Sequence, residues 1–137
     1  MTKKKAKDKG YRGSKKTARA RVTITEGKGR VLVNSKPLEI FEPELARELI
    51  QEPITLAGAR LGDVDITVNV NGGGIMGQAA AARTAIGKAI VSHTKDKELR
   101  KLFLYYDRSL LVSDVRQVEP KKYLAKGARA KYQKSYR

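Results

Sequence analysis

The chain has no cysteine, which excludes disulfides, zinc ribbons and zinc knuckles and makes a reducing compartment the simpler setting. It has a single histidine, His93, so nucleophilic catalysis would lack the companions it needs. No uninterrupted apolar run nears the roughly 18 residues that span a bilayer. The basic start "MTKKKAKDKGYRGSKK" is followed by no apolar segment of the signal-peptide kind. The expectation is a soluble protein, and 137 residues suit one compact domain.

Acidic residues are also scarce, but only in places. Residues 1–21 hold ten Lys/Arg against one Asp, a charge of +9, and residues 116–137 hold eight against one Glu, +7. Residues 22–115 carry twelve of each sign, so the whole excess of +16 sits at the two ends. A neutral centre with two basic ends suits a folded domain that holds arms against a polyanion. Like charge this dense repels itself unless a partner neutralises it.

The centre reads as a sheet covered on one side by helices. In "TARARVTIT", Ala18, Ala20, Val22 and Ile24 alternate with Arg19, Arg21, Thr23 and Thr25, a period of two that puts arginines on one face. "EGKG" is expected to turn that strand into "RVLVN" as a hairpin, and "NSKP" to form another turn. "EPELARELIQEP" predicts a short helix, with Pro43 near its start, Leu45 and Leu49 on its stripe, and a stop before Pro53. "DVDITVNVN" alternates without a fault, as in a strand buried on one face. After a glycine-rich turn, Ile75, Ala79, Ala82, Ile86, Ala89, Ile90 and His93 share one helical stripe, leaving Thr84, Lys88 and Ser92 off it. A second helix is expected from about Asp96, with Leu99, Leu102, Phe103 and Tyr106 inward. Both should pack on the apolar sheet face. The outcome is a two-layer α/β domain over residues 17–115, with a basic N-terminal arm (1–16) and an extended C-terminal tail (116–137).

Catalytic and metal sites find little support. His93 lies on a core stripe, and Asp63 and Asp65 fit a solvated strand face better than a paired-carboxylate site, with no ligand cluster around them. The segment Gly72-x-Gly74-x-x-Gly77 has the spacing of a dinucleotide fingerprint. That motif needs a following strand with an acidic residue about 20 positions on, where this chain has the charged "SHTKDKEL". A plainer use is a tight strand-to-helix turn at Gly72, Gly73, Gly74 and Gly77, whose amides can meet one phosphate. No enzyme, cofactor or metal is expected. A DNA-compacting or membrane-surface protein would explain the charge as well as an RNA-binding one.

Four stretches together carry a resemblance: "KKTARARV", "RVLVNSKPLEIFEPELARE", "VNGGGIMGQAAAARTAIGKAIV" and "YDRSLLVSDVRQVEPKKYLAKGARAKYQKSYR". Over residues 14–137 the chain resembles the S-nine family of small-subunit ribosomal proteins, and the ending "KYQKSYR" resembles its archaeal and eukaryotic branch. It departs at Ser35, where relatives commonly have Gly, and at Ala125 and Ala130, where they are often richer in Gly or Arg. The resemblance implies a mixed sheet of about four strands with two main helices on one face. It also implies a cytoplasmic place in the ribosome, on rRNA of the small-subunit head (3′ major domain) beside other ribosomal proteins. The tail is then expected to reach the P-site tRNA through Lys134, Ser135, Tyr136 and Arg137, with Arg137 on a backbone phosphate. Lys121, Lys122, Lys126, Arg129 and Lys131 would face rRNA. Charge and alternation add Arg19, Arg21 and Arg30 on the outer sheet face and Arg12, Lys15 and Lys16 in the arm. Tyr123, Tyr132 and Tyr136 interleave the basic tail, as suits stacking on bases or sugars.

Overall fold

A computed structural model describes residues 10–61, 63–130 and 135. Five strands, β1 (Tyr11–Lys15), β2 (Ala18–Glu26), β3 (Val31–Val33), β4 (Lys36–Pro37) and β5 (Val64–Asn71), form one mixed sheet in the order β1-β2-β5-β3-β4. Three helices, α1 (Glu44–Ala57), α2 (Ile75–Thr94) and α3 (Lys97–Tyr106), make the second layer. This is the expected α/β two-layer plan: the three helices fall on the three segments read as helical, and the sheet has five strands where about four were expected.

The centre of the sheet belongs to β5, whose Val64, Ile66, Val68 and Val70 are all buried. It runs antiparallel to β2 and parallel to β3. The expected hairpin between β2 and β3 is therefore wrong, because β5 lies between them. The reason is the acid on β5. Asp65 accepts from the backbone N–H of Lys28 (2.8 Å) and Arg30 (3.0 Å) and pairs with the Arg30 guanidinium (3.1 Å). These bonds carry the loop over the strand end, and those to Arg30 and Lys28 hold the Asp65 carboxyl below its ordinary range. Asp65 is thus a loop organiser and not a residue of an idle solvated face. The true tight turn is "NSKP": Asn34 (φ +47°) and Ser35 (φ +67°) make the two-residue connection of β3 to β4.

β3 reaches its parallel neighbour β5 through a crossover containing α1, as parallel pairs require. The helix does not stop before Pro53. It runs to Ala57, with Pro53 fully buried beside Ala46, Ile50 and Ala57, and ends at Gly58 (φ +51°). Burial of the ring offsets the one lost hydrogen bond. The inward stripe falls one residue later than expected, leaving Leu45 60% exposed.

α2 touches β1, β2 and β5 on one side and α1, α3 and the turn Arg108–Leu110 on others. A helix enclosed this way is buried nearly all round. Thr84, expected to point away, is buried and donates to the carbonyls of Ala80 (3.1 Å) and Ser109 (2.9 Å). The apolar stripe ends at Ile90, and His93 is exposed rather than in the core. The alanines of α2 allow close approach: a Cβ on Gly13 of β1 would lie 2.1 Å from the Ala81 carbonyl oxygen. α3 buries only Leu99 and Phe103, while Leu102 and Tyr106 stay exposed; its main neighbours are α1, α2 and the Arg108–Leu110 turn, not the sheet.

Candidate nucleic-acid interface

The face of the sheet opposite the helices is polar because β2 and β5 alternate. Register sets Arg21 between Arg12 on β1 and Asn69 on β5, and Arg19 between Ser14 and Asn71. Arg12, Arg19, Arg21, Asn69 and Asn71 are exposed, and they line an open depression of about 870 Å³ that continues over the β1 edge to Lys88 and Ser113. Like charges directly opposite on neighbouring strands, as at Arg12 and Arg21, destabilise a sheet. Among the described residues no carboxylate pairs with Arg12, Arg19 or Arg21. Elsewhere Arg30, Arg47, Arg60, Arg83, Arg116 and Arg129 each hold an acid, and among the described residues only Arg100 and Arg108 share the lack of one. A row of unpaired guanidiniums beside amide side chains has the donors to grip phosphates two bonds at a time.

The glycine segment serves the fold first. Gly72 (φ +73°) and Gly73 (φ +66°) take the left-handed turn out of β5, and a Cβ on Gly72 would meet the Thr17 carbonyl oxygen at 2.6 Å. Gly74 is the N-cap of α2 with an ordinary φ of −97° and open space around it, and Gly77 makes only normal contact. The constraint therefore lies on the first two glycines of the run. Lys15, Lys16 and Thr17 line a depression of about 330 Å³ beside Gly73, Gly74 and Gly77. Among its lining residues there is no acid to hold a ribose.

The remaining candidates divide. Arg12 and Lys15 fall within strand β1, so the sheet begins inside the segment read as an arm; Tyr11, Gly13 and Lys15 face inward and fix the strand. Lys16 occupies the following turn (φ +53°) and is exposed. Lys15 is engaged by Asp114, and Arg30 by Asp65. In the tail, Lys121, Lys122, Tyr123 and Lys126 are exposed on a stretch with neither helix nor strand, and Arg129 pairs with Glu119 (2.7 Å). Ser135 is exposed, while Lys131, Tyr132, Lys134, Tyr136 and Arg137 lie outside the described residues. Sequence reasoning missed Ser14, Asn69 and Asn71 as members of the basic face. Alternation had put both asparagines on a polar face, but only strand order brings them beside the arginines. Among the described residues no His, Asp and Glu cluster could hold a metal, and no helix is long and apolar enough to cross a membrane.

Comparison with known proteins gives one consistent answer. A family model described as "Ribosomal protein S9/S16" matches residues 13–137. The small ribosomal subunit protein uS9 of Halobacterium salinarum is 57% identical over 126 residues, covering 91% of this chain and 96% of that protein. The uS9 proteins of Methanothrix thermoacetophila and Methanococcus vannielii are 55% and 52% identical, each covering 91% of this chain and 95% of the relative. With its unpaired arginine face, its basic ends and a match that spans nearly its whole length, the chain belongs to the ribosomal protein S9/S16 family.

Proposed function

We propose that this chain is a structural constituent of the small ribosomal subunit, not an enzyme, and that it binds rRNA through the helix-free face of its sheet and through both basic ends. Family membership supports the structural role. The observation that carries the RNA contact is the row Arg12–Arg21–Asn69 with Arg19 beside it, where like charges stand opposite each other without an acid. Such a row costs stability in the free protein and becomes favourable once phosphates fill it. The tail cations Lys121, Lys122, Lys126, Arg129 and Lys131, with Lys15, Lys16 and Arg30, add sequence-independent charge, and Tyr123 and Tyr132 add stacking. Within this reading the rRNA is that of the subunit head, and Lys134, Ser135, Tyr136 and Arg137 reach the P-site tRNA.

Replacing Arg12, Arg19 and Arg21 together by Ser should weaken binding to deproteinised small-subunit rRNA about a hundredfold and flatten the slope of log affinity against log salt by roughly 2–3. Unchanged affinity and slope would leave the sheet face without a role. For the tRNA, deleting Arg137 should speed P-site tRNA dissociation about tenfold, the worth of one charge-assisted hydrogen bond, with assembly intact. An unchanged rate would make the tail an rRNA anchor alone.

A further inference from the structure

The C-terminal tail leaves the domain beside the last residue of β1. Asp114 forms a backbone bridge to Lys15, the last residue of β1, and its carboxylate accepts from the Lys15 ammonium. The same carboxylate takes the Arg116 backbone N–H (2.9 Å), the Arg116 Nε (3.0 and 3.1 Å) and Nη2 (2.7 Å). The contact to a backbone N–H two residues on is an Asx turn, which bends the chain at the point where the tail begins. A second tie lies beside it: Lys88 of α2 donates to the Arg12 carbonyl (3.0 Å) and to Ser113 Oγ (2.9 Å). Asp114 is the only carboxylate between residues 108 and 118, and its side chain is 17% exposed. Lys15 and Arg116 meet at this edge and would repel each other without the acid between them.

We propose that Asp114 is a clasp: by holding Lys15 and Arg116 at once, it sets the direction in which the C-terminal tail leaves the domain. Its consequence for RNA rests on the binding role proposed above. A tail held in one direction loses less freedom on binding than one that samples many. Asp114 is then a positioning residue, since the cations it holds, and not the acid itself, meet the partner.

The chain's lack of cysteine allows spin labels at Arg100→Cys and Lys126→Cys, both exposed positions. In the full-length protein the label distance should be narrowly distributed. Asp114→Asn should at least double its width, and Arg116→Lys, an exposed change that keeps the charge but loses the fork, should broaden it with the fold untouched. Inverting all three charges with Lys15→Glu, Asp114→Lys and Arg116→Glu should narrow the distribution again only in part. The ion pairs return, while the bond from the residue-116 N–H, which needs an acceptor, does not. RNA affinity supplies a test of opposite sign. Asp114→Asn removes a negative charge from a protein that binds a polyanion, so charge alone makes binding tighter, as it should for the exposed acid in Asp63→Asn. The clasp requires Asp114→Asn to bind rRNA about fivefold more weakly. An unchanged distance distribution, or tighter binding by Asp114→Asn, overturns the proposal. Failure of the parent protein to bind rRNA would sink the RNA-binding role, while the distances would still judge the clasp.

Discussion

At Ser35 the backbone is held at φ +67° by a residue with a Cβ, in a turn whose neighbour Asn34 is also left-handed. Asn34 has a reason to be there: its amide accepts from Val70 N–H (2.8 Å) and donates to the Val70 carbonyl (3.1 Å), extending the sheet by one rung. Ser35 has no such bond among the described residues. Ser35→Gly should therefore stabilise the fold by about 0.5–1 kcal/mol, after the entropy glycine costs the unfolded chain is counted. Urea unfolding measures this, and a lower midpoint would contradict it. The glycine run gives the opposite test. Gly72→Ala should cost about 2 kcal/mol or more, through positive φ and the approach to Thr17, whereas Gly74→Ser should shift stability by less than about 0.5 kcal/mol because Ser suits an N-cap. The sequence marked this run as a turn and could not say which glycine bears the strain. Spacing marked Gly72, Gly74 and Gly77 alike, yet the limiting atom, at Gly72, is a carbonyl some 55 residues earlier in the chain.

Elements whose faces are set by a single period were legible; those set by several neighbours were not. β5 and β2 came directly from alternation, because one face meets helices and the other meets none. α2 was harder, since Thr84 and Lys88 sit on sides that a one-stripe helix would leave to water. The same enclosure produces an ion network that no local pattern announces. Arg83 of α2, its side chain 12% exposed, reaches Glu52 of α1 through Nε and Nη2 (2.9 Å for Nη2), and through Nη1 it donates to Asp107 (2.9 Å) and Ser109 Oγ (2.6 Å). Arg83→Met should destabilise by about 2–4 kcal/mol by stranding two carboxylates, and adding Glu52→Gln should recover part of that. The network also fixes the acid response. Partial burial pushes the Asp107 carboxyl up, but its bonds to Ser109 and Arg83 outweigh this and leave it below the usual range. A depressed folded-state value contributes stability above the unfolded value of about 4, and that stability is lost as pH falls below it. Thermal midpoints should stay level between about pH 5 and 8 and fall below about pH 4, less steeply for Arg83→Met. Equal acid slopes for the two proteins would remove Asp107 from the account.

Across the whole molecule, charge is sorted by partner rather than spread. Several carboxylates of the neutral centre hold loops, caps and ion pairs, while among the described residues Arg12, Arg19 and Arg21 of the sheet face pair with none. Charge counting read that division from the sequence, but the boundary depended on long-range contacts. Residues 11–15 carry the basic composition of an arm and nevertheless form a strand, because Gly13 allows β1 to lie against Ala81 and Ala85 of α2. Two truncations should therefore behave differently. Removing residues 1–9 takes away five lysines and one aspartate and leaves β1 intact. It should flatten the dependence of log affinity on log salt by roughly 3–4, if most of those lysines release counterions from rRNA, and leave the thermal midpoint within about 2 °C. Removing residues 1–15 strips β1 as well, opens the alanine face of α2 to water and leaves Asp114 without Lys15. That protein should lose several kcal/mol of stability, through exposed apolar surface and lost strand pairing. Calorimetry and salt-titrated RNA binding on the two truncations separate the effects. If the shorter deletion lowered stability as much as the longer one, β1 would not be where the folded domain begins.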